Sequence, residues 1–278
     1  MRHDRWRWAG LILALAILTL GLRAFWWEPA SLLVSEERIP LQLAARGSVR
    51  VAVLTDLHVG SPFNGPAKLR DVVERTNAAH PDIICILGDF VIQGVIGGRF
   101  VPPEQIASEL RALRSPAGVF SVLGNHDGWL DHDRVKRVLE QNAIRVIEES
   151  AAKIQTPAGP LWIAGISDLW TGVHDVPAAL AAATDNAPVI LLTHNPDVFP
   201  EVPARVALTL AGHTHGGQVF LPFFGRPIVP SEFGQRYAAG HVIESGRHLF
   251  VATGVGTSIL PVRFRVPPAV TVLTLASE

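Results

Sequence analysis

Five apolar runs in this chain end in the same kinds of polar residue. "VRVAVLTDLH" closes on Asp56 and His58, and "DIICILGDF" carries Asp89. "GVFSVLGNHD" ends in Asn125, His126 and Asp127, "PVILLTHNPD" carries His194, and "RVALTLAGHTHGG" carries His213 and His215. Short continuous apolar runs bounded by turn residues read as strands buried on both faces. In mixed α/β sheets, sites gather beyond the carboxyl ends of strands. A chain whose buried strands each end in Asp, Asn or His is therefore constrained to bring those ends together. A single feature such as "GHTHGG" constrains less, because one His-x-His pair before two glycines also suits a surface turn.

Between these runs the spacing turns helical. "AKLRDVVERTNAAH" (67–80) puts Leu69, Val72, Val73 and Thr76 on one face. "PPEQIASELRALRS" has proline near its start and acid in its first turn, and "DHDRVKRVLEQN" and "VPAALAAAT" read as further helices. Short strands are expected around 32–44, in "IRVIEE", in a hairpin around Ala158–Pro160, and in "GQVFLP", "RYAAGHVIES", "HLFVAT" and "AVTVLTL". Early β-α alternation followed by late hairpins predicts an α/β fold of mixed sheets packed together with helices outside.

The 278 residues carry 24 Lys and Arg against 25 Asp and Glu, a formal net charge of -1, so no basic excess argues for a nucleic-acid partner. The single cysteine, Cys85 in "IICIL", cannot form an intrachain disulfide and reads as buried packing.

The N-terminus differs from the rest. Arg2, Arg5 and Arg7 precede an uncharged run from Trp8 to Leu22, followed by Arg23 and by Phe25, Trp26 and Trp27. A helix from Trp6 to Trp27 would be roughly 33 Å long, enough to cross a bilayer core. Tryptophans at both ends resemble an interfacial belt, and Arg23 can snorkel. The alternatives are a cleaved signal peptide, disfavoured by the lack of a clean small-x-small site, and a helix lying in the interface on the cytoplasmic face. The basic end favours a single-pass anchor with residues 1–7 cytoplasmic and the body extracytoplasmic.

The donors at the strand ends are nitrogen and oxygen only, which suits Mn²⁺, with Fe or Zn²⁺ as alternatives. Two metals sharing one carboxylate need about seven or eight protein ligands. Asp56, His58, Asp89, Asn125, His194, His213 and His215 supply seven.

The order D-x-H, GD, GNHD, a lone His and then GHTHGGQ resembles the calcineurin-like binuclear metallophosphoesterases over roughly Val49 to Leu275. "GHTHGGQVFLPFFG", "RYAAGHV" and "VATGVGTSILPVRFRVPP" are similar to its membrane-associated bacterial phosphodiesterase subgroup, in which the closing Pro-Pro is usually followed by Glu; here Ala269 stands there. Some related enzymes hydrolyse UDP-2,3-diacylglucosamine in lipid A biosynthesis. The resemblance implies an αββα sandwich of two mixed β-sheets flanked by helices. It also implies two divalent ions, one on Asp56, His58 and His215 and one on Asn125, His194 and His213, bridged by Asp89. His126, oriented by Asp127, would contact the phosphate and protonate the leaving oxygen. The implied reaction is hydrolysis of a phosphodiester or pyrophosphate by a metal-bridging hydroxide, without a phosphoenzyme. A metal-dependent scaffold without catalysis is the alternative from another class, disfavoured because it has no need of His126 and Asp127. A nucleotide or nucleic-acid phosphodiesterase is a further alternative.

The expected division is a membrane anchor at 1–28, a juxtamembrane segment at 29–48 and a metallophosphoesterase domain at 49–278. Apolar loops "FVIQGVIGGRFVPP", "VFLPFFGRPIVP" and "GVGTSILPVRF" should flank the metals, and such patches suit a lipid-linked or amphipathic substrate. Arg99, Arg226 and Arg263 within them could face phosphates or headgroups. Asp168 reads as either a ligand-orienting or a turn residue. His132, His174, His241 and His248 read as surface or satisfied polar groups, His80 before Pro81 as a helix end, and Trp162 and Trp170 as packing.

Overall fold

The computed structural model describes residues 2–277. Helix α1 (Arg2–Leu22) runs on through a π-helical turn at Arg23–Trp27 into the single turn α2 (Glu28–Ala30). Residues 5–30 form a stretch long and apolar enough to cross a membrane, with none of its most apolar window buried in the protein.

Strands β1 (Leu33–Pro40), β2 (Ser48–Leu54), β3 (Ile83–Leu87), β4 (Val119–Val122), β5 (Arg145–Val146) and β12 (Ala269–Ala276) form a first sheet in the order β1-β12-β2-β3-β4-β5. A second sheet, ordered β10-β11-β9-β8-β7-β6, contains β6 (Ser150–Thr156), β7 (Gly159–Gly165), β8 (Val189–Leu192), β9 (Leu208–Ala211), β10 (Gly240–Glu244) and β11 (Arg247–Val251). Both sheets are mixed. β2, β3, β4 and β5 are parallel, while β12 runs antiparallel to β2. β7, β8, β9 and β11 are parallel and are flanked by antiparallel β6 and β10.

Strand alternation explains the layering. Ile83, Cys85 and Leu87 of β3 face Ile163, Ile190 and Leu210 of the other sheet in one core. Ile84 and Ile86 point the other way, onto Leu69 and Val72 of α3 (Pro66–Ala78), Ile106 and Leu110 of α4 (Pro103–Leu110), and Val135 and Leu139 of α5 (Asn125–Gln141). On the far side, Val189 and Leu191 pack with Val176 and Ala179 of α6 (Val176–Leu180) and with Phe199 and Tyr237. Cys85 is fully buried, and burial pushes its thiol up to about 12.

Two sequence expectations shift. The strand expected around 32–44 is present as edge strand β1, but within the fold rather than in a separate juxtamembrane segment: it pairs with β12 in parallel from Leu33 opposite Ala269 to Pro40 opposite Ala276. "GQVFLP" is not a strand: Val219 and Leu221 make only isolated bridges, to Phe264 and Gly225, because Pro222 and the tight turn before Gly225 stop the pairing.

Candidate metal centre

The parallel strands β2, β3 and β4 deliver Asp56, Asp89 and Asn125 just past their carboxyl ends, and β8 and β9 deliver His194 and His213 from the facing sheet. All seven expected ligands and His126 are buried. Asp56, His58, Asp89, His213 and His215 have φ between 38 and 66°. These left-handed turns are unusual for residues with a side chain, and such strain clusters at functional sites. They reverse the chain directly after each strand. Two glycines leave room for this: a Cβ on Gly124 would overlap Asp89 Oδ1, and one on Gly212 would lie 2.8 Å from Asp56 Oδ2.

The ligand atoms fall into two sets joined by one oxygen. Asp56 Oδ1 lies 3.3 Å from His215 Nε2, which lies 3.1 Å from His58 Nε2. His194 Nε2 lies 3.1 Å from both Asn125 Oδ1 and His213 Nδ1. Asp89 Oδ2 is 3.3 Å from His58 Nε2 and 3.3 Å from His194 Nε2. Metal-type clusters accordingly comprise Asp56, His58 and His215; Asp89, His194 and His213; and His58, Asp89 and His126.

Four of the ligand atoms are left free by a bond on the other side of the group. Asp56 Oδ2 accepts Thr55 Oγ1 and the His213 N–H, leaving Oδ1 without a hydrogen-bond partner. Asp89 Oδ1 accepts the His126 N–H at 2.9 Å, which leaves Oδ2 between the two sets. His58 Nδ1 meets Val91 O at 3.1 Å and His194 Nδ1 meets Leu87 O at 2.6 Å, so each ring donates there and presents Nε2 as an acceptor. Lone pairs converging with no hydrogen between them fit divalent cations.

The electrostatics agree. Burial opposes ionisation of Asp89, but His194 and His58 outweigh it and hold its carboxyl well below the usual range. Burial also opposes protonation of His194, yet Asp89 and Asp56 lift it to about 10. Burial and then His194 push His213 down to about 3. Negative charge from Asp89 and Asp56 thus favours a positive charge at this point, and a divalent cation would compete with a proton for the same lone pairs.

His126 joins the cluster edge-on to His58, with ring centroids 4.7 Å apart. Asp127 does not orient it. The Asp127 carboxylate accepts the N–H groups of Asp89, Phe90, Val91 and Gly124, at 2.8, 3.0, 3.3 and 3.0 Å, because it occupies the first turn of α5 beneath the β3 loop. His126 Nδ1 has no hydrogen-bond partner.

Among the other expected residues, Arg263 faces neither phosphate nor headgroup. It is fully buried and spends its donors on the carbonyls of Thr253, Gly256 and Val266 behind His215. Arg226 donates to Gly216 O, and Arg99 is exposed. Asp168 is a turn residue whose Oδ2 accepts from Trp170 N, Thr171 N and Thr171 Oγ1. His132 bonds Glu148, and His241 bonds His248. Trp162 is half-buried and bonds Asp185. Trp170 is not core packing: it is 53% exposed and meets His213 edge-on at 4.5 Å. Trp129 stands beside it, and the sequence does not single it out, because a tryptophan after a Gly carries no signal of its surroundings.

The calcineurin-like phosphoesterase family model matches residues 49–217, the stretch holding every one of these ligands. The metallophosphoesterase YkuE of Bacillus subtilis is 30% identical over 255 residues, covering 90% of this chain and 87% of that protein. Phosphodiesterase YaeI of Escherichia coli is 33% identical over 232 residues, covering 81% and 82%. A zebrafish transmembrane protein with a metallophosphoesterase domain is 28% identical over 251 residues, covering 82% of this chain and 52% of that protein. The chain thus belongs to the calcineurin-like phosphoesterase family and is a metal-dependent phosphoesterase.

Proposed function

We propose that the protein is a membrane-anchored hydrolase of phosphodiester or pyrophosphate bonds that uses two divalent ions. The observation that carries this reading is Asp89 Oδ2, equidistant at 3.3 Å from His58 and His194 and so positioned to serve both ligand sets. Asp56, His58 and His215 would hold one ion, Asn125, His194 and His213 the other, and Asp89 both. The nitrogen and oxygen donors suit Mn²⁺ first, with Fe or Zn²⁺ as alternatives. Such an ion pair supplies Lewis acidity, lowering the pKa of water and neutralising phosphoryl charge for in-line attack. The chain's own residues do the rest. Asp127 holds the Asp89 loop in place through its backbone bonds. His126, edge-on to His58 at the cluster, would contact the phosphoryl group and supply a proton to the leaving oxygen. The Escherichia coli relative named a phosphodiesterase supports the same bond type.

For localisation, a retained single-pass anchor is supported by how the helix end is built into the domain. Ala24, Glu28 and Pro29 are buried, Arg263 N donates to Ala24 O at 2.9 Å, and Lys68 Nζ donates to Pro29 O at 2.7 Å. Removing this segment would strip those partners from the folded body. The Arg5 and Arg7 side supports an extracytoplasmic body.

For substrate, a lipid-linked or amphipathic phosphoester, of which UDP-2,3-diacylglucosamine is one example, is supported by the surface beside the anchor. Phe223, Phe224, Ile228 and Ile259 are exposed by 104, 80, 77 and 69%. Their loops meet: Ile96 N bonds Ile259 O, Phe264 bridges Val219, and Arg23 lies over the Phe264 ring at 5.5 Å. An apolar patch continuous with an apolar helix suits a bilayer surface. Phe223→Ser with Phe224→Ser should lower turnover of an acylated substrate more than that of a small soluble phosphodiester. Equal falls, or none, would remove the lipid reading.

A further inference from the structure

Two tryptophans stand at the edge of the metal cluster in half-open positions. The Trp129 ring lies 5.1 Å from His126, and Trp170 lies 4.5 Å from His213. The two indoles face each other with centroids 6.2 Å apart and planes 21° from parallel. They are 52% and 53% exposed, so neither is a core residue. The four rings form an arc from the candidate proton donor to a candidate ligand.

The arc is held rigidly. Trp129 sits on the first turns of α5. Trp170 sits on a loop fixed by three bonds to Asp168 Oδ2 and by Ser167 Oγ, which accepts the Val173 and His174 N–H groups. Gly128 lets that loop close on the helix, since a Cβ there would lie 2.5 Å from Thr171 Oγ1. A large aromatic surface kept half in water, at fixed geometry and beside a reactive centre, is the arrangement of a ligand platform.

We infer that Trp129 and Trp170 form a stacking platform for the nucleobase of a nucleotide-linked phosphoester, an inference that rests on the two-ion phosphoesterase reading. With phosphate on the cluster, the group esterified to it passes beside His126 and over these rings. A planar neutral ring gains most there, because base–aromatic stacking is strong and tolerant of base identity. A quaternary ammonium would be repelled by the adjacent divalent ions, and neither carboxylate of the loop faces the rings as a counter-charge: Asp168 is buried with three donors on Oδ2, and Asp175 caps α6 through Ala178 N. An acyl chain finds its match on the exposed Phe223 and Phe224 instead. A net charge of -1 offers no track for a polymer backbone, so the ligand is a single nucleotide unit rather than a nucleic acid.

The test is equilibrium binding of adenosine 5′-monophosphate, ribose 5-phosphate and inorganic phosphate to the full-length, Mn²⁺-loaded protein in detergent. The base should tighten binding over ribose 5-phosphate by about 5- to 150-fold. Trp129→Leu and Trp170→Leu should bring that ratio towards one while ribose 5-phosphate still binds, and should raise KM for a nucleoside diester with little change in kcat. Equal affinity for the first two ligands in the wild type, with phosphate still bound, overturns the platform alone and needs no variant to fold. A wild type that binds no inorganic phosphate overturns the phosphoesterase reading beneath it as well.

Discussion

The Asp127 carboxylate accepts the backbone N–H of Asp89 at 2.8 Å, inside a fully buried contact between the first turn of α5 and the loop after β3. The bond, with those to Phe90, Val91 and Gly124, holds Asp89 at its left-handed φ of 56°. Asp127→Asn puts an NH₂ group where an acceptor is needed and leaves buried N–H groups unpaired. We expect a stability loss of about 1–3 kcal/mol. Thermal melting should show a lowered midpoint, accompanied by a drop in turnover. An unchanged melt with full activity would remove this role for Asp127.

His126→Ala should keep both metal sites loaded while turnover falls roughly 10²- to 10⁴-fold, the range of a positioned acid. The loss should shrink for substrates with good leaving groups. Metal content and rates on a series of aryl phosphodiesters check this; equal losses across the series would leave His126 with phosphate contact only.

Lys68 ties α3 to the end of the N-terminal helix through Pro29 O, and burial, with Arg263 nearby, lowers it to about 7. Its folded pKa lies below the unfolded value, so the unfolded chain binds the extra proton between them. Stability from this group is therefore fully present above about pH 10.4 and lost as pH falls through 7. Melting curves of wild type and Lys68→Met should diverge across that window, with the wild type gaining stability as pH rises and the variant lacking that gain. Parallel curves would contradict the assignment.

A reporter fused to the carboxyl terminus should be active only on the extracytoplasmic side, since Arg5 and Arg7 precede the apolar helix. A reporter active only in the cytoplasm would instead indicate a helix lying in the interface.

Much of the site was legible because its ligands end buried strands. Asp56, Asp89 and Asn125 follow β2, β3 and β4, and a strand's apolar run can be read from the sequence alone. The structure does bring the seven expected side chains together. What was not legible depends on adjacency between distant segments. Asp127 was read with its neighbour His126, but its partners lie on the loop after β3. Arg263 looked like a loop cation because nothing in "PVRF" announces that its guanidinium is buried among the carbonyls of Thr253, Gly256 and Val266. Trp129 and Trp170 are 41 positions apart in sequence and meet only through the fold. The parallel pairing of β1 with β12 joins segments far apart in the chain, Leu33 with Ala269, and alternation within either strand cannot reveal it.

Metal content measured together with turnover, in wild type and in Asp89→Asn, tests the central claim most directly. Asp89 Oδ2 stands between the two ligand sets, so one substitution should act on both. The wild type is expected to hold two divalent ions per chain and to hydrolyse a simple phosphodiester. The variant is expected to lose occupancy at both sites and to be inactive. Full activity with unchanged metal content in Asp89→Asn would contradict a shared carboxylate and, with it, the two-ion centre.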